Sequence, residues 1–297
     1  NAPPPFKKLA TNAITYKRVG FVREASRLPN DRRQKGVFPY TRLKMDKQPV
    51  MATQGVTKRF GDFVAINNID FELENKETLG IIGPNGAGKT TFINLLSGFY
   101  PPEEGRVFYH GEDITELSPA RRVKLGITRT FQLVHVFDNL SVYENLGLAV
   151  YRKNTDSAFT LGMFSSSLRQ GAIKPKVDES LEMLELDHLR DDTVSSLPLG
   201  SKKRLEIAMA FVADPEIIIF DEPFSGLGDQ EIDEVVVVLK KFTHDKTILV
   251  IEHKVSKLEE FVDRLAVMHE GEIIACGEPQ STLNDPKVRE CYWKLET

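Results

Sequence analysis

The sequence predicts an α/β fold built around a largely parallel sheet, and three stretches predict it. The first is the apolar run Leu79 to Ile82, then Gly83-Pro84-Asn85-Gly86-Ala87-Gly88-Lys89-Thr90 with Thr91, then the helical run Phe92-Ile93-Asn94-Leu95-Leu96. Strand, glycine loop and helix in that order is the setting of a phosphate-binding loop. The glycines let backbone N–H groups point at phosphate oxygens, and the helix N-terminus adds its positive end. Lys89 then reaches the β- and γ-phosphates, and Thr90 ligates Mg²⁺. The second stretch is Glu216 to Phe220, whose apolar run suits a central parallel strand buried on both faces. It ends in Asp221-Glu222-Pro223, and carboxylates at the C-terminal end of such a strand lie where open α/β sheets bind ligands. Adjacent strand residues point opposite ways, so one acid suits Mg²⁺ and the other a water. The third stretch, Thr247 to Ile251, is another buried strand, closed by Glu252-His253. A histidine in that place could reach a γ-phosphate, although a lone loop histidine is more often a solvated surface group.

Composition excludes several other classes. Of 297 residues, 41% are hydrophobic and 28% charged, the balance of an ordinary globular chain. The longest apolar runs, Ile217 to Phe220 and Val235 to Leu239, fall far short of the roughly 20 residues a membrane helix needs. Cys276 and Cys291 form neither a disulfide framework nor a metal pattern, so reduced thiols in a cytosolic protein are expected. The net charge of −4 is unevenly spread. Residues 1–50 hold 12 Lys/Arg against 3 Asp/Glu, a net of +9, which leaves −13 on the other 247 residues. A basic arm on an acidic body invites a nucleic-acid or anionic-lipid contact.

Residues 1–44, with Pro3-Pro4-Pro5 and little periodicity, read as a basic extension separate from an α/β domain over 45–297. A disordered arm, a processed targeting remnant and a contact with membrane or partner all remain open for it. Val50 to Val56 and Val64 to Leu73 alternate as strands around a Gly61-Asp62 turn flanked by Phe60 and Phe63. Either ring could stack on a nucleobase. Val107 to Tyr109 and Gly111 to Ile114 suggest a short strand pair, and Ser118-Pro119 opens a short helix with Ser118 as N-cap. Ile127 to Gln132 reads as a strand. A largely helical block follows, about 133–200. In it Val142 to Val150 is helical, 152–175 is a connection, and Val177, Leu181, Leu184, Leu186 and Leu189 mark one apolar helix face. A turn through Leu197 to Ser201 leads into a helix over Lys202 to Val212, with Lys202, Lys203, Arg204 and Glu206 off its apolar face; its N-terminus is another anion site. Asp263 to Met268 and Glu272 to Gly277 form a hairpin around Glu270-Gly271, and the stretch from Pro279 is helical.

Together these landmarks resemble the nucleotide-binding subunit of an ABC (ATP-binding cassette) transporter over residues of about 50–290. Phe60 falls where that family stacks an aromatic on adenine, Gly83 to Thr90 at its Walker A loop, and Gln132 at its Q-loop. Residues 197–201 fall at its signature motif, 217–222 at Walker B with the catalytic Glu222, Gly226-Leu227-Gly228-Asp229 at the D-loop, and His253 at the switch histidine. The resemblance implies a RecA-like parallel-sheet core with an antiparallel β subdomain and a helical subdomain. It implies ATP and Mg²⁺ as ligands. The ATP-binding set is then Phe60, Gly83 to Thr91, Gly200 and Ser201; the metal set is Thr90, Gln132 and Asp221; and the catalytic set is Glu222, His253 and Gln132.

The connection at 152–175, Leu205-Glu206-Ile207-Ala208 and Asn284-Asp285-Pro286-Lys287-Val288 resemble ATPases of branched-chain amino-acid and urea-type importers. That implies a peripheral protein on the inner face of the cell membrane. Its expected partners are permease subunits, a second ATP-binding subunit (the same chain or a sister chain) and, indirectly, a solute-binding protein. Two rivals share the cassette: a lipid or lipopolysaccharide transport system, and a cassette acting on nucleic acid or ribosomes. No heptad run separates the two Walker motifs and only one cassette is present, so nucleic acid is not the expected partner. The signature departs from the usual Leu-Ser-Gly-Gly-Gln, with Pro198, Leu199 and Ser201 in place of the serine, first glycine and glutamine. Gly228 stands where the D-loop usually has aspartate. Backbone N–H groups from Gly200 onward, with Ser201, must then supply the phosphate contact.

Overall fold

The computed structural model of the chain describes residues 48–130, 136–154, 173–243 and 245–293. The expectations for residues 1–44, for Gln132 and for most of the connection at 152–175 lie outside the described residues.

Two sheets and a set of helices form three layers. The first sheet holds β1 (Met51–Phe60), β2 (Phe63–Leu73), β4 (Glu104–Tyr109) and β5 (Glu112–Asp113), antiparallel in the order β2-β1-β4-β5. The second holds β3 (Thr78–Ile82), β6 (Ile127–Arg129), β7 (Ile217–Asp221), β8 (Thr247–Ile251), β9 (Arg264–His269) and β10 (Glu272–Gly277) in the order β10-β9-β3-β8-β7-β6. All its pairings are parallel except the β9–β10 hairpin. That hairpin turns through Glu270 (φ 47°) and Gly271 (φ 79°), the left-handed pair a tight two-residue turn requires.

The parallel sheet is the middle layer, so its strands are apolar on both faces. Every residue of β3, β7 and β8 is buried. Ile218 and Phe220 of β7 face one core, shared with the helices; Ile217 and Ile219 face the other, shared with the antiparallel sheet and α1 (Lys89–Leu96). Among the described residues the remaining α-helices are α2 (Pro119–Lys124), α3 (Val142–Asn154), α4 (Ile173–Met183), α5 (Leu199–Val212), α6 (Asp229–Lys240), α7 (Val255–Leu258), α8 (Pro279–Leu283) and α9 (Pro286–Trp293). Helices α3 and α4 lie between β6 and β7 in sequence, and α3, α4 and α5 pack together.

Several elements differ from expectation. Strand β6 ends at Arg129, although the Thr130 N–H still bonds Ile219 O at 2.9 Å. Ser118 does occupy the N-cap of α2, but its hydroxyl caps nothing. Helix α4 stops at Met183, because Glu185 turns left-handed at φ 56°. Leu184 and Leu186 are buried all the same, reached through a turn rather than a helix face. Helix α5 starts three residues early, at Leu199, with Pro198 as N-cap. Gly200 and Ser201 are therefore its first turn and not a loop before it. Lys203 and Glu206, expected on the polar side of α5, are buried and face each other at 3.5 Å.

Candidate active site

The glycine loop is shaped by close approaches. A Cβ on Gly83 would sit 2.3 Å from Met268 O of β9. Gly88, at φ +100°, caps α1, and a Cβ there would sit 2.6 Å from Ala65 O of β2. Loop, β2 and hairpin are stitched together by Gly271 N to Ala87 O at 3.0 Å and Asn67 N to Gly271 O at 2.9 Å. Asn85 and Gly86 stay exposed, and a Cβ on Gly86 would meet nothing within 4 Å, so the tip of the loop is open to solvent. Lys89 is buried beneath it, donating to Gly83 O at 2.7 Å and Pro84 O at 3.1 Å. Thr90 is exposed and Thr91 half-buried in the first turn of α1.

The acids gather under this loop. Burial pushes the Lys89 ammonium below the usual lysine pKa, while the charges of Glu222, Asp221 and Glu252 oppose the shift. The charges of all three carboxylates are felt at this one cation. Asp221 is 3% exposed and takes a 2.8 Å bond from the Arg129 guanidinium, itself bonded to Asn94 Oδ1 of α1. Glu222 does not continue the strand. Its backbone turns left-handed at φ 50°, its N–H holds Ile251 O at 2.9 Å, and its Oε1 lies 3.1 Å from His253 Nε2. The two acids diverge through a backbone turn, where strand alternation had been expected to separate them.

Glu252 had carried no assignment. It is 3% exposed, and its two oxygens accept N–H bonds from Phe224 at 2.6 Å and His253 at 3.0 Å. Burial pushes its carboxyl above the ordinary glutamate range; the N–H groups of Phe224, His253 and Lys254 oppose this, and the charge of Glu222 adds to it. Arg129 also had no assigned role. Its signal, an arginine at the end of an apolar strand, gains meaning only once β6 is known to lie beside β7.

The remaining candidates lie elsewhere. Phe60 is 45% exposed, packs edge-on against Tyr100 with centroids 5.5 Å apart, and has Lys58 Nζ 5.5 Å above its ring. Gly200 packs against Glu231 of α6. The Gly200 N–H donates to Glu231 Oε1 at 3.2 Å, and the N–H of Gly228, the N-cap of α6, donates to Glu231 Oε2 at 3.0 Å. A Cβ at 200 would strike that carboxylate at 2.6 Å. Ser201 is buried, its hydroxyl 3.4 Å from Arg204 Nη2.

A family model described as "ABC transporter" matches residues 66–225, from within β2 through the glycine loop and both acids. The chain belongs to the ABC transporter family. Its ATP-binding protein LivG from Salmonella typhimurium, of high-affinity branched-chain amino acid transport, is 36% identical over 255 residues, covering 82% of this chain and 98% of the relative. The corresponding BraF protein of Pseudomonas aeruginosa is 32% identical over 250 residues, with the same coverage. Among solved structures, a nucleotide-free ATP-binding cassette from an ABC transporter matches with a TM-score of 0.69 at 31% identity, covering 82% of this chain and 98% of that one. An ADP-bound cassette matches equally well, at 32% identity. The chain is thus an α/β ABC cassette that binds nucleotide and hydrolyses ATP. Among the described residues no helix is long and apolar enough to cross a membrane.

Proposed function

We propose that this cassette powers the import of branched-chain amino acids, urea or related small solutes, docked on the inner face of the membrane through permease subunits. The observation that carries the catalytic part is the convergence of Lys89, Asp221, Glu222 and His253 beside an open glycine loop. The cargo class rests on what the relatives named above transport.

Phosphates fit the loop because its glycines leave backbone N–H groups accessible and Lys89 lies at its floor. A divalent ion fits the exposed hydroxyl of Thr90 with the carboxylate of Asp221, hard oxygen donors of the kind Mg²⁺ prefers. Such an ion would offset charge on the β- and γ-phosphates. Glu222 polarises the attacking water, and His253, 3.1 Å away, contacts the γ-phosphate. Gln132 links the site to the helical block of about 133–200, which grips the permease. Phe60 stacks on adenine. Gly200 and Ser201 serve the nucleotide of a second ATP-binding subunit in a head-to-tail pair, a like chain or a sister chain. Rate enhancement then comes from positioning and charge neutralisation.

The test uses one variant. Glu222→Gln should bind ATP within about threefold of the parent and lose at least about a hundredfold in turnover. Held in its nucleotide-bound form and purified with a tag from native membranes, it should bring down two permeases and an amino-acid- or urea-type binding protein. Near-normal hydrolysis would remove Glu222 from the chemistry. Recovery of ribosomes, nucleic acid or a lipid-extracting permease would remove the cargo assignment.

A further inference from the structure

We infer that Glu252 is a positioning residue that sets His253 against Glu222 by clamping both of their turns to one buried carboxylate. This rests on the catalytic reading of Glu222 and His253 above. The residue sits just past β8, where three strand ends meet. Its own N–H bonds Ile81 O of β3 at 3.2 Å, two residues before the glycine loop begins. One carboxylate oxygen takes the Phe224 N–H at 2.6 Å, two residues beyond Glu222, and the other takes the His253 N–H at 3.0 Å. One residue therefore ties three strand ends together, its backbone holding β3 and its carboxylate the turns after β7 and β8.

The clamp adds to backbone bonds that already hold its clients, Glu222 N–H on Ile251 O at 2.9 Å and Val255 N–H on His253 O at 3.1 Å. Glu222 holds a left-handed backbone, and the His253 side chain is 39% exposed. An anchor buried beneath them fixes the turn positions from which the 3.1 Å contact is made. The anchor's chemistry is also specific. Both oxygens accept from backbone N–H groups, so the site needs a group with two acceptors and no competing donor. A carboxylate satisfies this. A glutamine amide has one acceptor and would set its NH₂ against one of the two N–H donors, releasing that arm while conserving size.

The experiment compares Glu252→Gln, Glu252→Asp, His253→Ala, the Glu252→Gln/His253→Ala pair and Glu222→Gln in the full-length protein. Steady-state ATP hydrolysis and equilibrium binding of a fluorescent ATP analogue are read for each. A misplacement of the order of 1 Å can cost up to about a hundredfold, so Glu252→Gln should lower kcat about 10- to 100-fold while analogue affinity stays within about threefold. Glu252→Asp, which keeps two acceptors on a shorter arm, should fall between the two. The double variant should lose less than the product of the single losses, because much of what Glu252 positions is already gone. A Glu252→Gln kcat within about twofold of the parent overturns the inference. So does a parallel loss of binding and turnover, or full multiplicativity in the pair. Should Glu252→Gln fail to fold, Glu252→Asp decides: reduced kcat with intact binding supports the clamp, and any other pattern overturns it. Glu222→Gln keeps the two levels apart. If it hydrolyses ATP normally, the catalytic reading fails; if it is dead while Glu252→Gln is normal, only the clamp fails.

Discussion

At position 222 an L-residue holds φ at 50°, a backbone state that costs about 1–2 kcal/mol without glycine. The structure maintains it with the Glu222 N–H on Ile251 O and the Ser225 N–H on Glu222 O. Strain of this kind persists where the surroundings over-determine a functional residue. Replacing Glu222 by glycine and by alanine separates backbone from side chain. Both variants should be inactive, but the glycine form should be more stable by about 1 kcal/mol, because alanine keeps the Cβ penalty. Thermal unfolding of the two would show it; equal midpoints would mean that the turn is unstrained. No glycine or asparagine marks this position, so the sequence offered nothing against plain strand alternation. The types of the two acids were legible, and the way they diverge was not.

Helix α1 shows how an element can depend on a distant side chain. It runs only from Lys89 to Leu96, and its last carbonyls need partners. Arg122 of α2, 1% exposed, donates to Leu95 O at 2.8 Å and Leu96 O at 2.7 Å, and also to Ile114 O, Thr115 O and Leu117 O. Gly98 is required beside it, since a Cβ there would lie 2.7 Å from Arg122 Nε. Arg122→Ala should therefore cost about 3 kcal/mol or more, since buried carbonyls lose a shared donor. Denaturant unfolding would report it, and a loss under about 1 kcal/mol would mean that water replaces the guanidinium. Nothing local in the sequence announces this, because the two acceptors at the end of α1 lie 26 and 27 residues from Arg122. By contrast β3, β7 and β8 were legible because burial on both faces leaves an unbroken apolar signature. The start of α5 was misplaced because Gly200 looks like a turn residue. Its actual reason is the Glu231 carboxylate packed against it. The end of α4 was overrun because Leu184 and Leu186 keep an apolar spacing after the helix has stopped.

At the scale of the whole molecule, the antiparallel sheet is tied to the parallel one through a polar cluster at its rim. Glu216, just before β7, accepts from the Tyr109 hydroxyl of β4 and lies 2.9 Å from His110 Nε2 in the β4–β5 turn. Burial pushes the Glu216 carboxyl up, but the Tyr109 and His110 hydrogen bonds outweigh it and hold the carboxyl below the ordinary glutamate range. A depressed carboxyl contributes stability above its unfolded pKa and loses it as pH falls through the folded one. At pH 7 Glu216→Gln should thus be less stable than the parent, by about 1 kcal/mol or less since the group is part-exposed. The gap should close as pH falls below the unfolded value of about 4.5. Urea unfolding at pH 7 and near pH 3.5 checks this; a gap that persists in acid would mean that the cluster acts through shape and not charge.

The strand order carries a further consequence, for synthesis. Strand β3, which delivers the glycine loop, is hydrogen-bonded only to β8 and β9, and β9 ends at His269. At about 5–20 residues per second, β3 waits roughly 10–40 s on the ribosome for its neighbours. Through most of that interval the five residues of β3, all buried in the finished fold, lack both neighbouring strands. The phosphate loop is encoded early and assembled last. A nascent cassette cut short before β9 should therefore depend on chaperones and fail to hold nucleotide, however complete its Walker motifs.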